Sequence, residues 1–457
     1  MELKASPFLH ILKMNEKYSA LYNSLTLEVA FVEASFLDEY KKGDLFISTN
    51  PETEDVLISL KKIGLLIDKD NDGMELYNTY RKTLDKPAIN ILYLLLTDAC
   101  NLRCKYCYFL ANMDKHYVFS FMNEETAILA INMFAKNIKD SRALGHNDQQ
   151  IVIYGGEPTL NRKTLLRVLR YVDEIKESGK LPDSVSITVN TNGVLLDQEI
   201  LEQCKKSGVV IAISIDGPKE IHDQMRIYPS KQGSFNRVID SYNATKTIGV
   251  KTGICVTIDK HNVQNIEKVT LWLIENLEVK GIGFNILIEN EDPQTEKESH
   301  QYSELVAAKL IECFKIARER GLYEDRMMRR VKNFVEKTPV FSDCGGCGLQ
   351  MVVSPDGKIG VCQAFCGSKE YFVKEPLESF EPINHPFWKE WRKRSPLTME
   401  ECKACIALGN CGGGCPYNAY KRKGTIWSLD ERFCVHAKTA AEFLIRDLWE
   451  KQSRKAR

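Results

Sequence analysis

Residues 98–108 have the sequence DACNLRCKYCY and bring Cys100, Cys104 and Cys107 together in one short segment. A structural zinc site normally has four ligands arranged as two closely spaced pairs, but no fourth cysteine or histidine occurs nearby before His116. A [4Fe–4S] cluster also takes four ligands, normally all thiolates. Three thiolates leave one iron free to bind a small molecule. The segment therefore predicts a site with three thiolates and one open position rather than a closed structural zinc site.

The composition indicates a globular protein whose formal net charge is zero at pH 7. Of 457 residues, 44% are hydrophobic and 27% are charged, and Lys+Arg and Asp+Glu both number 62. These values suit a protein with packed cores and give no sign of a basic nucleic-acid surface. The first residues lack the apolar core and cleavage site of a signal peptide, and no stretch approaches the ~18 apolar residues of a membrane span. We therefore expect a cytoplasmic protein that binds neither nucleic acid nor membrane.

The fifteen cysteines are unevenly distributed along the chain. In a large protein of the reducing cytoplasm, such a number indicates metal ligands or catalytic groups rather than disulfides. Cys204, Cys255 and Cys313 are isolated from one another, and we expect them to be buried as small hydrophobic residues. Nine others lie between positions 344 and 434, where their clustering requires a chemical explanation.

The chain before residue 86 contains short strand and helix patterns but no chemical motif. Two short strands are predicted within residues 18–32, helices at residues 34–42 and 52–63, and a further short strand at residues 65–68. We expect a small α+β domain over residues 1–85.

From residue 89 onward, six apolar, β-rich runs alternate with helical patterns. The runs occupy residues 89–96, 151–154, 185–189, 209–215, 253–258 and 282–288. Asn123 and Asp197 are predicted N-caps of two intervening helices. Strands that alternate with helices indicate parallel βαβ units and an α/β fold. In such folds the chemistry lies at the carboxyl ends of the strands.

Three regions are therefore expected beyond the first domain. They are a partial (β/α)6 barrel over residues 88–300, a helical bridge over residues 301–343 with a helix at 303–335, and a cysteine-rich domain over residues 344–457.

Glycine-containing or polar motifs follow the second, third and fourth predicted barrel strands. The first is Gly155-Gly156-Glu157, and Asn192 and Ser214 stand at the ends of the next two strands. Together with the CxxxCxxC spacing of the opening segment, these motifs resemble the signature of radical S-adenosylmethionine (SAM) enzymes. Asp216, followed by a glycine, is on its own typical of a turn.

The resemblance implies a set of SAM contacts. The implied contacts are Tyr106 along the adenine, Gly155, Gly156 and Glu157 at the amino group, and Asn192, Ser214 and Arg226 at the ribose and carboxylate. Each of these residues has the alternative interpretation of a loop cap or turn residue. The resemblance also implies that Cys100, Cys104 and Cys107 hold a [4Fe–4S] cluster whose free iron binds SAM and passes it one electron. SAM then yields methionine and a 5′-deoxyadenosyl radical, which removes a hydrogen atom from an unactivated carbon. The expected electron donor is a flavodoxin or a ferredoxin.

The C-terminal cysteines resemble the seven-cysteine SPASM domain, an appendage of radical SAM enzymes that modify peptides and proteins. The resemblance implies two auxiliary [4Fe–4S] clusters, and three clusters in total. The first would use Cys344, Cys347, Cys362 and Cys415, and the second would use Cys402, Cys405, Cys411 and Cys434. Cys366 competes with Cys344 for the first cluster. The alternative is a pair of structural zinc sites, since CxxC pairs also suit zinc.

Two features bear on the substrate. Related sulfatase-maturing enzymes carry an aspartate that acts as a general base directly after the cysteine that corresponds to Cys362. This chain has Gln363 at that position, and a glutamine accepts no proton at neutral pH. Residues 1–85 resemble the winged-helix-like domain that recognises a leader peptide by adding it as a β-strand, although a structural extension of the barrel is the alternative.

We therefore expect a maturase that oxidises a ribosomally made precursor peptide and forms thioether cross-links. A formylglycine-type side-chain dehydrogenase and a peptide epimerase are alternative enzymes. A zinc or iron–sulfur scaffold is the non-catalytic alternative.

Overall fold

The computed structural model describes residues 2–43, 45–48, 50–86, 88–111, 117–143, 148–287 and 296–455. It is a mixed α/β structure with three sheets. The strands are β1 (Glu2–Ala5), β2 (Leu9–Lys13), β3 (Tyr18–Asn23), β4 (Val29–Glu33), β5 (Lys41–Lys42), β6 (Leu45–Ile47), β7 (Leu66–Asp68), β8 (Ile91–Thr97), β9 (Gln150–Gly155), β10 (Ser186–Thr191), β11 (Val210–Ser214), β12 (Lys251–Ile258), β13 (Gly281–Ile286), β14 (Tyr323–Glu324), β15 (Gln350–Val353), β16 (Ile359–Gly360) and β17 (Phe372–Val373).

The helices surround these sheets. They are α1 (Ala34–Tyr40), α2 (Pro51–Lys62), α3 (Glu75–Thr83), α4 (Tyr108–Ala111), α5 (Glu124–Ala143), α6 (Arg162–Glu177), α7 (Gln198–Lys206), α8 (Lys219–Met225), α9 (Phe235–Ile248), α10 (Ile266–Leu277), α11 (Glu296–Glu319), α12 (Asp325–Glu336), α13 (Pro386–Lys393), α14 (Leu408–Cys411), α15 (Pro416–Lys423) and α16 (Glu431–Lys455). Among the helices that the structure describes, none is long and apolar enough to cross a lipid bilayer.

The six predicted barrel strands are present and form a parallel series in chain order. Strands β8 to β13 pair with their sequence neighbours, and each pairing is parallel. The last residue of the predicted run 282–288 lies outside the described residues. The predicted caps are confirmed, because Asn123 Oδ1 accepts from Thr126 N at 2.7 Å and Asp197 Oδ1 accepts from Ile200 N at 3.0 Å. The parallel series therefore places its carboxyl ends along one edge.

The barrel sheet continues into the C-terminal part of the chain. Strand β15 pairs with β8 in parallel, and β16 and β17 extend that edge in antiparallel fashion, so the whole sheet has ten strands and is mixed. On the other edge, β14 adds to β13 in parallel. The predicted helix at 303–335 is instead two helices with β14 between them, because α11 ends before Gly321, which has φ +65°.

The first 86 residues contain two antiparallel sheets. One has the order β5-β6-β1-β7 and the other has the order β2-β3-β4. This N-terminal unit packs against the cysteine-rich part of the chain, where Tyr77 donates its hydroxyl to Leu397 O at 2.7 Å and Gly409 N donates to Ser24 O at 2.7 Å. It is therefore attached to the region that contains the clustered cysteines.

Candidate active site and cysteine sets

The segment with Cys100, Cys104 and Cys107 forms a loop directly after β8. Cys107 N donates to Cys104 O at 3.1 Å, which closes a tight turn between these two cysteines. Leu102 N donates to Cys100 Sγ at 3.4 Å and Leu110 N donates to Cys107 Sγ at 3.5 Å. Backbone N–H groups directed at sulfur stabilise a thiolate, the form in which cysteine binds a metal. The donor set therefore suits a soft metal centre.

Burial keeps the thiols of Cys100 and Cys104 protonated. It raises the pKa of Cys100 to about 12, and negative charge on Glu157 adds to this rise. Burial also raises the pKa of Cys104 to about 11, although the cationic Arg226 opposes it. Metal ligation requires thiolates, so loading of this site must release protons.

Gly155 and Gly156 bring the end of β9 into contact with the cysteine loop. Gly156 N donates to Thr97 O at 2.8 Å, and Glu157 N donates to Ala99 O at 2.9 Å. A Cβ at Gly156 would lie 2.2 Å from Ala99 O, and one at Gly155 would lie 2.1 Å from Thr97 O. The two glycines thus permit a close approach between two backbone segments, and their contact with SAM stays a prediction.

We expect Gly156→Ala to displace the cysteine loop. The new Cβ cannot coexist with Ala99 O at 2.2 Å, and the obstacle is backbone rather than a flexible side chain. Gly253→Ala is the matched control, because a Cβ there meets nothing within 4 Å. Iron bound per chain after anaerobic reconstitution should fall in G156A and stay at the wild-type level in G253A; equal loading in both variants would contradict this role.

Glu157 is fully buried and cross-links the ends of β9 and β10. Its Oε1 accepts from Thr191 Oγ1 at 2.7 Å and from Thr159 N at 3.1 Å, and its Oε2 accepts from Asn192 N at 2.7 Å. Burial raises the pKa of Glu157, and these hydrogen bonds oppose the rise. In this structure the carboxylate fixes the position of Asn192, and its contact with SAM stays a prediction.

Tyr106 and Arg226 belong to a buried cluster centred on Asp216, a residue that sequence interpretation treated as a turn former. Asp216 accepts from Arg226 Nε at 2.8 Å, from Thr257 N at 2.9 Å and from the Tyr106 hydroxyl. The Arg226 guanidinium carbon lies 5.3 Å from the centroid of the Tyr106 ring. The cluster fastens the cysteine loop to the ends of β11 and β12.

Asn192 and Ser214 stand at the ends of β10 and β11, as predicted. Asn192 Nδ2 donates to Asn101 Oδ1 at 2.8 Å and lies 3.8 Å from Cys100 Sγ. Ser214 is half-buried at the last position of β11. The structure thus brings Asn192 directly beside the cysteine loop.

Three tyrosines that sequence interpretation missed lie between the cysteine loop and the C-terminal region. The Tyr108 and Tyr154 hydroxyls are 3.2 Å apart, and the rings of Tyr93 and Tyr154 meet edge to face with centroids 6.3 Å apart. Burial raises the pKa of Tyr108, with further contributions from Tyr154 and then from Cys362 and Cys107. Tyr108 is therefore close to both cysteine-bearing regions.

The C-terminal cysteines separate into two sets by the charges that act on them. Burial raises the pKa of Cys362, and negative charge on Cys344, Cys415 and Cys347 adds to this effect. Burial likewise raises the pKa of Cys434, with additions from Cys411, Asp430, Cys402 and Cys405. These groupings coincide with the two ligand sets that the resemblance implies: Cys344, Cys347, Cys362 and Cys415, and Cys402, Cys405, Cys411 and Cys434.

The backbone around both sets resembles that of the cysteine loop. Cys347 N donates to Cys344 O and Cys405 N donates to Cys402 O, each at 3.0 Å. Backbone N–H groups also approach sulfur at 3.4 Å from Gly346 to Cys344, from Ala407 to Cys405 and from Asn418 to Cys415. All fifteen cysteines are free thiols. Within the described ranges, no group of three or more Cys, His, Asp or Glu side chains is arranged so that it could hold a metal ion.

Cys366 has different neighbours. It is buried, and its Sγ accepts from Lys369 Nζ at 3.6 Å. Burial raises its pKa to about 11, opposed by Lys369 and increased by Asp98 and Asp356. Cys366 also packs in one hydrophobic cluster with Leu95, before the cysteine loop, and Phe109, after it.

Comparison with known proteins identifies the family. The profile of the radical SAM superfamily matches residues 94–273. The Fe-coproporphyrin III synthase of Methanosarcina barkeri is 30% identical over 370 residues, which is 73% of this chain and 85% of the synthase. The chain belongs to the radical SAM superfamily. This membership implies a [4Fe–4S] cluster and SAM.

Two other relatives differ in how much of this chain they match. The cysteine-type anaerobic sulfatase-maturating enzyme of Clostridium novyi is 25% identical over 346 residues, which is 72% of this chain and 88% of that enzyme. The radical SAM cyclopropyl synthase TigE of Paramaledivibacter caminithermalis is 23% identical over 485 residues, which is 99% of this chain and 96% of the synthase.

Solved structures of radical SAM proteins share the fold. The structure of anSMEcpe with bound AdoMet has a TM-score of 0.65 at 19% identity and covers 79% of this chain and 98% of its own. The structure of Streptococcus suis SuiB bound to the precursor peptide SuiA has a TM-score of 0.54 at 15% identity and covers 94% of this chain and 99% of its own. The fold class is thereby confirmed.

Proposed function

We propose that this radical SAM enzyme oxidatively modifies a ribosomally made precursor peptide and forms thioether cross-links in it. The observation that carries the proposal is coverage: TigE aligns with 99% of this chain and SuiB covers 94%, whereas the Clostridium novyi sulfatase-maturating enzyme leaves more than a quarter of it unmatched. A chain that is similar over nearly its whole length to a cyclopropyl synthase and to a protein bound to a precursor peptide shares more with them than the barrel alone.

The N-terminal unit is the proposed binding site for the leader of that peptide. In the described part of the unit, β3 is the central strand of the three-stranded sheet. Strands β2 and β4 each pair only with β3, so both are edge strands. An extended peptide can add to such an edge through main-chain hydrogen bonds. The contacts of this unit with Leu397 and Gly409 support a binding site for the leader beside the cysteine-rich part of the protein.

Cys100, Cys104 and Cys107 are the proposed ligands of the SAM-binding cluster. When bound, cluster and SAM together supply the carbon-centred radical that removes a hydrogen atom from the substrate. The Asp216–Arg226 pair and Tyr106 hold the loop against the strand ends. These residues orient the site rather than react.

The environment of Gln363 favours a maturase without the sulfatase-type base. Its Oε1 accepts from Gln350 Nε2 at 3.1 Å, and Gln350 Nε2 also donates to Val361 O at 2.8 Å. An amide held in this way is neutral across the physiological pH range. Deprotonation of the substrate therefore has to use another group.

The two C-terminal cysteine sets are the proposed ligands of two auxiliary [4Fe–4S] clusters. Support comes from the grouping of the cysteines by mutual charge effects and from the N–H donors directed at Cys344, Cys405 and Cys415. The position of Cys366 beside Lys369 favours Cys344 as the fourth ligand of the first set. A flavodoxin or a ferredoxin is the proposed electron donor.

The test uses reconstituted, reduced enzyme, SAM and a short cysteine-rich peptide encoded by a neighbouring gene. Each thioether removes two hydrogens and one alkylatable thiol from the peptide. By mass spectrometry after iodoacetamide treatment, we therefore expect one lost alkylation site for every two hydrogens lost. The C100A variant and a peptide without its leader are the controls, and both should give unmodified product. Retention of every thiol in a dehydrogenated peptide would exclude thioether formation.

A second candidate function is closure of a cyclopropyl ring in the peptide, because the relative that matches nearly all of this chain is a cyclopropyl synthase. Such a ring also removes two hydrogens but consumes no thiol. The same alkylation experiment separates the two, since a cyclopropyl product keeps its full iodoacetamide uptake.

A further inference from the structure

Arg394 lies at the junction between the two C-terminal cysteine sets. It is completely buried, and its Nη1 donates to Gly413 O at 2.7 Å. Gly413 is the middle residue of three consecutive glycines that join Cys411 of the second set to Cys415 of the first. All three glycines have positive φ, and Gly413 has φ +88°. The guanidinium therefore holds the segment by which the chain passes from one set to the other.

The other bonds of Arg394 are also made to neutral groups. Its Nη2 donates to Ser428 O at 3.1 Å and its Nε donates to Ile426 O. In the described part of the chain, no carboxylate lies within ion-pair distance of it. A buried cation without a counter-charge is strongly unfavourable in a protein interior. A negatively charged group beside this guanidinium would therefore stabilise it.

The cysteines on both sides supply that charge when they bind metal. A Cβ at Gly413 would lie 3.5 Å from Arg394 Nη1. Gly413 is separated by one glycine from Cys411 of the second set and by one glycine from Cys415 of the first. The guanidinium therefore lies beside the short segment that joins the two sets.

We propose that Arg394 is the shared counter-charge of the two C-terminal iron–sulfur clusters and raises the reduction potential of both. The inference rests on the proposed auxiliary clusters. A thiolate-ligated cluster has a net negative charge that grows on reduction, and net charge and hydrogen bonding set its potential. A buried cation between two such clusters stabilises the reduced form of each and offsets its own cost of burial.

The decisive comparison is made in the C100A/C104A/C107A variant, where iron comes from the C-terminal sites alone. This variant is compared with the same variant that also carries Arg394→Gln, and 'wild type' below means that position 394 is unchanged. EPR-monitored redox titration of reconstituted protein gives the midpoint potentials. At the wild-type midpoint we expect the ratio of reduced to oxidised cluster to fall about tenfold in R394Q, a shift of ~59 mV to more negative potential for a one-electron couple. Arg392→Gln is the matched control, since Arg392 is also buried and donates to Ile383 O at 3.1 Å, and it should leave the potentials unchanged.

The possible results separate this inference from the proposal on which it rests. If the C100A/C104A/C107A variant with Arg394 unchanged binds no iron, the proposal of two auxiliary clusters is wrong. Full iron loading with unchanged potentials in R394Q would overturn only the role of Arg394. If R394Q does not retain iron, Arg394→Lys decides: restored loading supports a role for charge, and loss of loading in both variants overturns it because geometry alone would then be responsible.

Discussion

Replacement of Cys100, Cys104 and Cys107 by alanine, singly or together, is expected to abolish cleavage of SAM to 5′-deoxyadenosine. The three thiols occupy one loop after β8, and backbone N–H groups point at two of their sulfurs. A cluster that loses one of three protein thiolates has no substitute ligand in this loop. The expected loss is therefore complete rather than graded, and chromatography of the nucleoside product measures it.

The same variants should keep the iron of the C-terminal sites. Those cysteines interact among themselves, and their turns form without the cysteine loop. Cys204→Ala is the control, because Cys204 is fully buried in the barrel core and should retain activity after a modest loss of stability. Residual deoxyadenosine formation in any variant of the loop would show that the SAM-binding cluster is held elsewhere.

The sequence predicted the barrel well because its signals are local. Each strand of the parallel series is a short apolar run, and the helices between them have recognisable caps at Asn123 and Asp197. Short, half-exposed strands such as β1 (Glu2–Ala5) and β6 (Leu45–Ile47) carry too few residues for a clear alternation. Their pairing depends on partners that lie distant in the chain.

Long-range pairing also explains the sheet edge that the sequence did not indicate. The run Gln350–Val353 pairs with Ile91–Thr97, which precedes it by more than half the chain. No local pattern in the QMVV segment specifies that partner. The domain boundary at residue 344 stays a prediction, and the sheet continues across it from β8 to β15.

The candidate site shows the same division between local and distant signals. The loop with its cysteines is a contiguous motif and was visible at once. Asp216 was interpreted as a turn residue, because its partners Tyr106 and Thr257 lie 110 and 41 positions away. Only the folded structure reveals that its carboxylate is nearly inaccessible and bonded to a buried guanidinium.

Asp216→Asn is the substitution outside the cysteines that we expect to cost most. The change leaves Arg226 as a buried cation without its ionic partner, and loss of one member of a buried pair typically costs ~3–5 kcal/mol. It also weakens the tie to Tyr106 and thus to the cysteine loop. We expect a large fall in the urea midpoint of the protein and, in the folded fraction, weaker SAM binding by equilibrium dialysis.

The control for Asp216→Asn is an exposed ion pair on the same barrel. Glu199 pairs with Arg162 and Arg170 at the surface, where such pairs contribute ~0–1 kcal/mol, so Glu199→Gln should change stability little. The double variant D216N/R226Q tests the mechanism, since removal of both charges should recover part of the loss and reveal a coupling free energy between the two residues. Loss of a partner should cost a buried cation far more stability than loss of a surface ion pair. Equal destabilisation by D216N and E199Q would therefore show that the Asp216–Arg226 pair does not hold the cysteine loop.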